Sequence, residues 1–230
     1  MSGSITLENR FGVNKMELIS LKYAIFVIVL LVLYYCFPKK YRWYVLLAGS
    51  MAYYVIICKW YVLFIIFTIC TTYGSTIWID KLLKEQNAIV KSHKEDWDRQ
   101  TRKEYKEKGR KKRVAVMLFA LLCNFGILAF LKYIPYAGEL GLLLPLGISF
   151  YTFQSMGYVM DVYREIVEPE KNFLKVALFV SFFPQIIQGP IAIYDKLAGQ
   201  LYEGHSLRLE NLQKGALLVL WGVIKKLVIA

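Results

Sequence analysis

WYVLFIIFTICTTYGSTIWI, residues Trp60 to Ile79, runs for 20 residues without a charge. At about 1.5 Å per helical residue it is long enough to cross the ~30 Å hydrocarbon core of a bilayer. The same texture extends to either side of it. Lys59 marks a tight turn upstream, and Tyr44 to Cys58 forms a second apolar run with Trp43 and Trp60 as interface anchors. Before it, the basic turn Pro38, Lys39, Lys40 and Arg42 closes a first run from Leu18 to Phe37, whose one charge, Lys22, lies near an end and can snorkel. Downstream, past a charged stretch, Val114 to Leu131 is an uncharged run of 18 residues.

Composition agrees with a membrane chain. Hydrophobic residues make up 57% of the 230 residues and charged residues 20%, against about 45–50% and about 25% in soluble domains. Disorder is excluded by this hydrophobicity, and one small soluble core could not bury so much apolar surface. The net charge is +12, and residues 80 to 113 alone hold 13 Lys or Arg and 7 Asp or Glu. A nucleic-acid groove would interleave aromatics with these bases, and only Trp97 and Tyr105 lie there. The stretch reads as a cytoplasmic loop, with no nucleic-acid partner. By the positive-inside rule both basic segments, 38–43 and 80–113, face the cytoplasm and the N-terminus lies outside.

Cys36, Cys58, Cys70 and Cys123 form no CxxC pair, and His93 and His205 are the two histidines. The cysteines read as small buried hydrophobes and the histidines as solvated, with no metal site. There is no P-loop, GxGxxG, HExxH or nucleophile elbow.

After Leu131 the texture changes. Leu140 to Met160 is uncharged but contains Pro145, Gly147, Gly157, Ser149, Tyr151, Gln154 and Tyr158. Phe173 to Tyr194 carries Pro184, Gln185, Gln188, Gly189 and Pro190. Lipid cannot satisfy backbone groups freed by proline, so such segments pack inside protein or line a wet cavity. Two readings stand: a cavity wall in broken or re-entrant helices, or kinked spans with helix-packing Gly and Ser. The cavity-lining candidates are Tyr151, Gln154, Tyr158, Gln185, Gln188, Gly189 and Pro190. Each glutamine or tyrosine has an alternative role, bonding a freed backbone carbonyl. Asp161 and Arg164, three apart, read as a structural pair.

The fold expected is an all-α polytopic membrane protein: a multi-helix bundle around an intramembrane cavity, with broken or re-entrant helices after residue 140. Its spans are about 18–37, 44–58, 60–79, 114–131, 140–160, 173–194 and 216–230, the last expected to continue into a longer protein.

Two segments carry a resemblance: LPLGISFYTFQ, residues 144–154, continuing to MDVYR, 160–164; and FFPQIIQGPI, 182–191. They resemble the membrane-bound O-acyltransferase (MBOAT) family, closest to the bacterial alginate O-acetyltransferase branch. GVIKKLVIA, 222–230, looks similar as well, and Tyr41 to Tyr54 less specifically. The resemblance implies the N-terminal portion of one such membrane domain, a multi-pass protein of the bacterial inner membrane. It would move an acetyl or related acyl group to hydroxyls of an extracytoplasmic polysaccharide, as in alginate biosynthesis. The donor, acetyl-CoA or an acyl carrier, would arrive from the cytoplasm as co-substrate, with no bound cofactor. The acceptor would be met outside, with partner proteins of an acetylation system. The family's catalytic His lies in a motif that no residue here matches, so no catalytic residue is assigned and the 230 residues alone are expected to be inactive. The competing classes are a membrane transporter, which also uses broken helices, and a non-catalytic membrane subunit.

Overall fold

The computed structural model describes residues 21–93, 96–133, 147–189 and 192–228. Residues 18–20, 140–146, Pro145, Pro190 and 229–230, which belong to the expected spans, lie outside the described residues. Within them every regular element is a helix. They are α1 (Leu21–Cys36), α2 (Arg42–Cys58), α3 (Val62–Ser92), α4 (Arg99–Tyr133), α5 (Ile148–Tyr163), α6 (Phe173–Ser181), α7 (Phe183–Gln188), α8 (Tyr194–Tyr202) and α9 (Leu209–Val228).

The stretches Lys39–Ser92 and Arg99–Tyr133 are long and apolar enough to cross a membrane by length and composition, and Lys22–Cys36 and Phe173–Ile186 are shorter apolar helices. The first stretch folds back at Lys59, whose φ of 47° turns the chain from α2 into α3. Large apolar side chains face outward from the bundle, among them Ile28, Ile56, Phe119 and Leu122. Hydrocarbon tolerates such a surface and water does not. The chain has the fold of a helical membrane protein.

α3, α4 and α5 pack against one another, and α6 is surrounded by α2, α3, α5 and α8. Small residues permit the close crossings. Thr68, Thr72, Ser75 and Thr76 line the buried face of α3, and Val116, Ala120, Asn124 and Leu128 repeat every four residues along α4. Asn124 Nδ2 donates to Thr71 Oγ1 at 2.9 Å and to the Ala120 carbonyl at 2.9 Å, so a polar side chain in an apolar span has both its donors satisfied. Leu217, Leu218 and Trp221 of α9 are all uncovered.

The charged stretch 80–113, expected as a loop, is a helical hairpin. α3 runs on to Ser92 and α4 starts at Arg99. Lys, Glu, Arg and Gln are strong helix formers, and neighbours one turn apart pair: Lys84 with Asp80, Lys81 with Glu85, Gln100 with Glu104. Charged residues dominate the stretch, which is why the sequence reads as a loop. Two further boundaries differ from expectation. The 173–194 span stops at Gln188 and gives way to α8, and the last helix begins at Leu209 rather than 216.

α5 ends in a Schellman-type turn: the Glu165 N–H meets the Val162 carbonyl and the Ile166 N–H meets that of Asp161. Glu165 occupies the left-handed position at φ 62°, usually held by glycine. Its carboxylate accepts from Arg113 Nη1 at 2.8 Å, which ties the end of α5 to the boundary of α4 where charge gives way to apolar sequence.

Candidate functional site

The expected break in 173–194 falls at Phe182, whose ψ of 106° separates α6 from α7. α6 is only nine residues long, yet Val176 to Ser181 are all buried. Its start is capped by Asn172, which accepts from the Leu174 N–H at 3.0 Å, and Pro184 occupies the first turn of α7. Other helices complete the broken backbone. Ser50 of α2 accepts from the Phe183 N–H at 3.4 Å, and Gln154 of α5 donates to the Phe179 carbonyl at 2.8 Å.

α5 presents Tyr151, Gln154, Ser155 and Tyr158 on one buried face, as spacings of three and four place them. The face is set by Gly147, which starts α5 at φ 71° with Ile186 of α7 directly against it. The Tyr151 ring meets Tyr54 of α2 edge-on, centroids 6.2 Å apart. Tyr158 stacks on Tyr194 at 4.2 Å, and its hydroxyl accepts from the Glu170 N–H at 2.8 Å.

The sequence-derived candidates therefore divide. Gln154 and Tyr158 hold backbone. Gln185 is half-buried, with an enclosed Oε1 that has no partner among the described residues. Gln188 closes α7, and Pro190 lies outside the described residues. Gly189 has φ −74°, so it serves close approach rather than a left-handed turn; a Cβ there would lie 2.6 Å from Gln185 Cα.

The hydroxyls of Tyr53, Tyr54, Tyr151 and Ser181 are likewise enclosed, those of Tyr54 and Tyr151 facing each other. The sequence reading passed over Ser50, Tyr53 and Tyr54. The signal was a serine and two adjacent tyrosines inside an apolar run, the same signal used for α5. Phe183 is held by an aromatic group, with Phe26 at 5.3 Å, Tyr53 at 5.5 Å and Tyr23 at 6.2 Å. His93 and His205 are both exposed and contact Ser92 and the Gln200 carbonyl respectively. Among the described residues the four cysteines form no disulfide.

A half-buried break in a helical membrane fold, with enclosed hydroxyl and amide groups beside it, offers hydrogen bonds where lipid offers none. Among known proteins the chain is similar to bacterial O-acetyltransferases. It is 41% identical over 88 residues to the probable alginate O-acetylase AlgI of Pseudomonas syringae pv. tomato, covering 38% of this chain and 17% of that protein. The corresponding protein of Pseudomonas putida is 34% identical over 113 residues, 49% of this chain and 22% of its own length. The peptidoglycan O-acetyltransferase of Helicobacter pylori is 31% identical over 152 residues, 50% of this chain and 29% of its own length. The matches thus span less than a third of each relative. No family model matches the chain, and no solved structure matches it significantly. The resemblance to the alginate O-acetyltransferase branch, drawn above from its motifs, is borne out by these matches.

Proposed function

We propose that the chain forms part of a membrane O-acyltransferase that moves an acetyl or related acyl group to hydroxyls of an extracytoplasmic polysaccharide. The similarity to both an alginate and a peptidoglycan enzyme carries this reading, since the acceptors differ and the transfer is shared. In such a reaction a base removes the proton of the acceptor hydroxyl and the oxygen attacks the acyl carbonyl. Hydrogen-bond donors stabilise the resulting oxyanion, and its collapse releases the carrier. The chain's own contribution is the half-buried break. Tyr53, Tyr54, Tyr151 and Gln185 supply enclosed polar groups beside a frame held by Gln154 and Ser50. The base is expected in a His motif that this sequence does not contain.

Labelled acetyl transfer to polymer by the full-length protein in membrane vesicles, compared with purified 1–230, tests the proposal. The full-length protein should label the polymer and the 230-residue chain should not. Substrate uptake without polymer labelling would overturn the assignment in favour of transport.

The donor is proposed to approach from the basic end. α2 and α3 lie between the turn at Lys39–Arg42 and the 80–113 hairpin in the chain, so two successive crossings would bring both basic segments to one side of the membrane. With the hairpin cytoplasmic, the N-terminus lies outside in a bacterial inner membrane. In a cysteine-free background, Gln100→Cys should resist an impermeant thiol reagent added to intact cells and react after permeabilisation. Rapid labelling of intact cells would invert the orientation.

A further inference from the structure

Between the two arms of the helical hairpin lies a groove of about 350 Å³. Lys103, Lys106, Arg110 and Arg113 line it from α4 together with Glu107, with Gln86 and Asn87 from α3 and Glu165 from the end of α5. The four basic positions are spaced by three and four, which sets them in one stripe facing α3. Lys108, Lys111 and Lys112 do not line the groove. Lys103, Lys106 and Arg110 are exposed to a ligand, and Arg113 at the inner end of the stripe is buried.

Arg113 is 8% exposed, and only part of its guanidinium is committed: Nη1 goes to Glu165, while Nε is enclosed without a partner among the described residues. Lys103, Lys106 and Arg110 form no ion pair among the described residues. A close contact joins the two arms within the same stretch. Gln86 Nε2 donates to the Lys106 carbonyl at 3.0 Å, and Gly109 lets the Gln86 amide approach, since a Cβ there would lie 2.5 Å from Oε1.

Depth indicates what enters. The apolar run of α4 starts at Val114, so Arg113 and Arg110 fall in the polar headgroup layer, while Lys103 stands about 15 Å further out. We propose that this groove binds a phosphate ester at the membrane boundary, with Arg110 and Arg113 on the phosphate oxygens. Glu107 is placed to accept from a hydroxyl or ammonium carried on the same ligand. A phospholipid with a glycerol or ethanolamine headgroup has this chemistry, and so does a small soluble phosphate ester. Basic residues at a cytoplasmic membrane surface attract anionic lipid, and the depth of the groove favours the lipid.

The test uses the full-length protein in neutral detergent, with lipid retention read by native mass spectrometry. Phosphatidylglycerol is compared with phosphatidylcholine, which lacks a donor on its headgroup, and glycerol phosphate serves as the soluble competitor. The double variant Lys106→Gln with Arg110→Gln is set against Lys108→Gln with Lys111→Gln, which loses the same charge from outside the groove. Phosphatidylglycerol should be retained about tenfold more strongly than phosphatidylcholine, with the preference lost in the first double variant and kept in the second. Binding of glycerol phosphate with the same variant pattern, and no lipid preference, would support the site with a soluble source. Equal retention of both lipids with no glycerol phosphate binding would overturn the proposal, as would equal losses from the two double variants.

Discussion

Gly147→Val should prevent the protein from accumulating in a folded state. The residue sits at φ 71°, and any Cβ there would lie 2.5 Å from the Ile186 carbonyl oxygen and 2.2 Å from its Cγ2. A left-handed β-branched residue costs roughly 1–3 kcal/mol, and overpacking adds roughly as much again. The total, about 4 kcal/mol, is a large part of a typical folding stability. Gly147→Ala suffers the same backbone collision and should also lower the melting temperature. The comparison is Gly126→Ala in α4, where a Cβ would meet nothing within 4 Å. That change should leave stability the same or raise it by up to about 1 kcal/mol, since alanine favours helix over glycine. Equal melting temperatures for Gly147→Ala and Gly126→Ala would show that the contact between α5 and α7 does not exist.

Gln154→Ala should cost about 2–3 kcal/mol of stability, because it strips the Phe179 carbonyl of a buried side-chain donor and leaves a void. Turnover per folded molecule should change little by comparison. Melting temperature and specific activity, measured on the same preparation of the full-length protein, separate the two roles. An unchanged melting temperature with a severe loss of turnover would move Gln154 from the frame of the site to the path of the substrate.

Much of the fold follows from simple chemistry. Uncharged runs of 18 to 20 residues mark α3 and α4 because each residue of such a run can face lipid. The Phe-Phe-Pro sequence marks the break because proline cannot continue a helix across its own missing N–H. The hairpin was not legible as helix because charged residues dominate it: pairs one turn apart hold it, and Leu82, Leu83, Ile89 and Val90 give only a short apolar stripe on the α3 arm. The site was half legible. Gln154 and Tyr158 stand out as polar residues in an apolar segment, but their partners are backbone groups of Phe179 and Glu170, which carry no sequence signal. Ser50, Tyr53 and Tyr54 reach the break from α2, more than a hundred positions earlier. Only packing brings them there. Gly147 was visible as one glycine among several, and its left-handed conformation emerged only with Ile186 in place against it.

The break also constrains the order in which the chain can be assembled. A nine-residue helix covers about 14 Å, less than half of the hydrocarbon core, so α6 has no stable existence alone in lipid. Its open backbone is closed by residues 25 positions away in α5 and 133 positions away in α2. Biogenesis must therefore hold α6 and α7 outside hydrocarbon, in the insertion machinery or at the interface, until both of those helices have met. The broken segment is then admitted to the bundle only after α2 and α5, and those earlier spans act as its scaffold during synthesis.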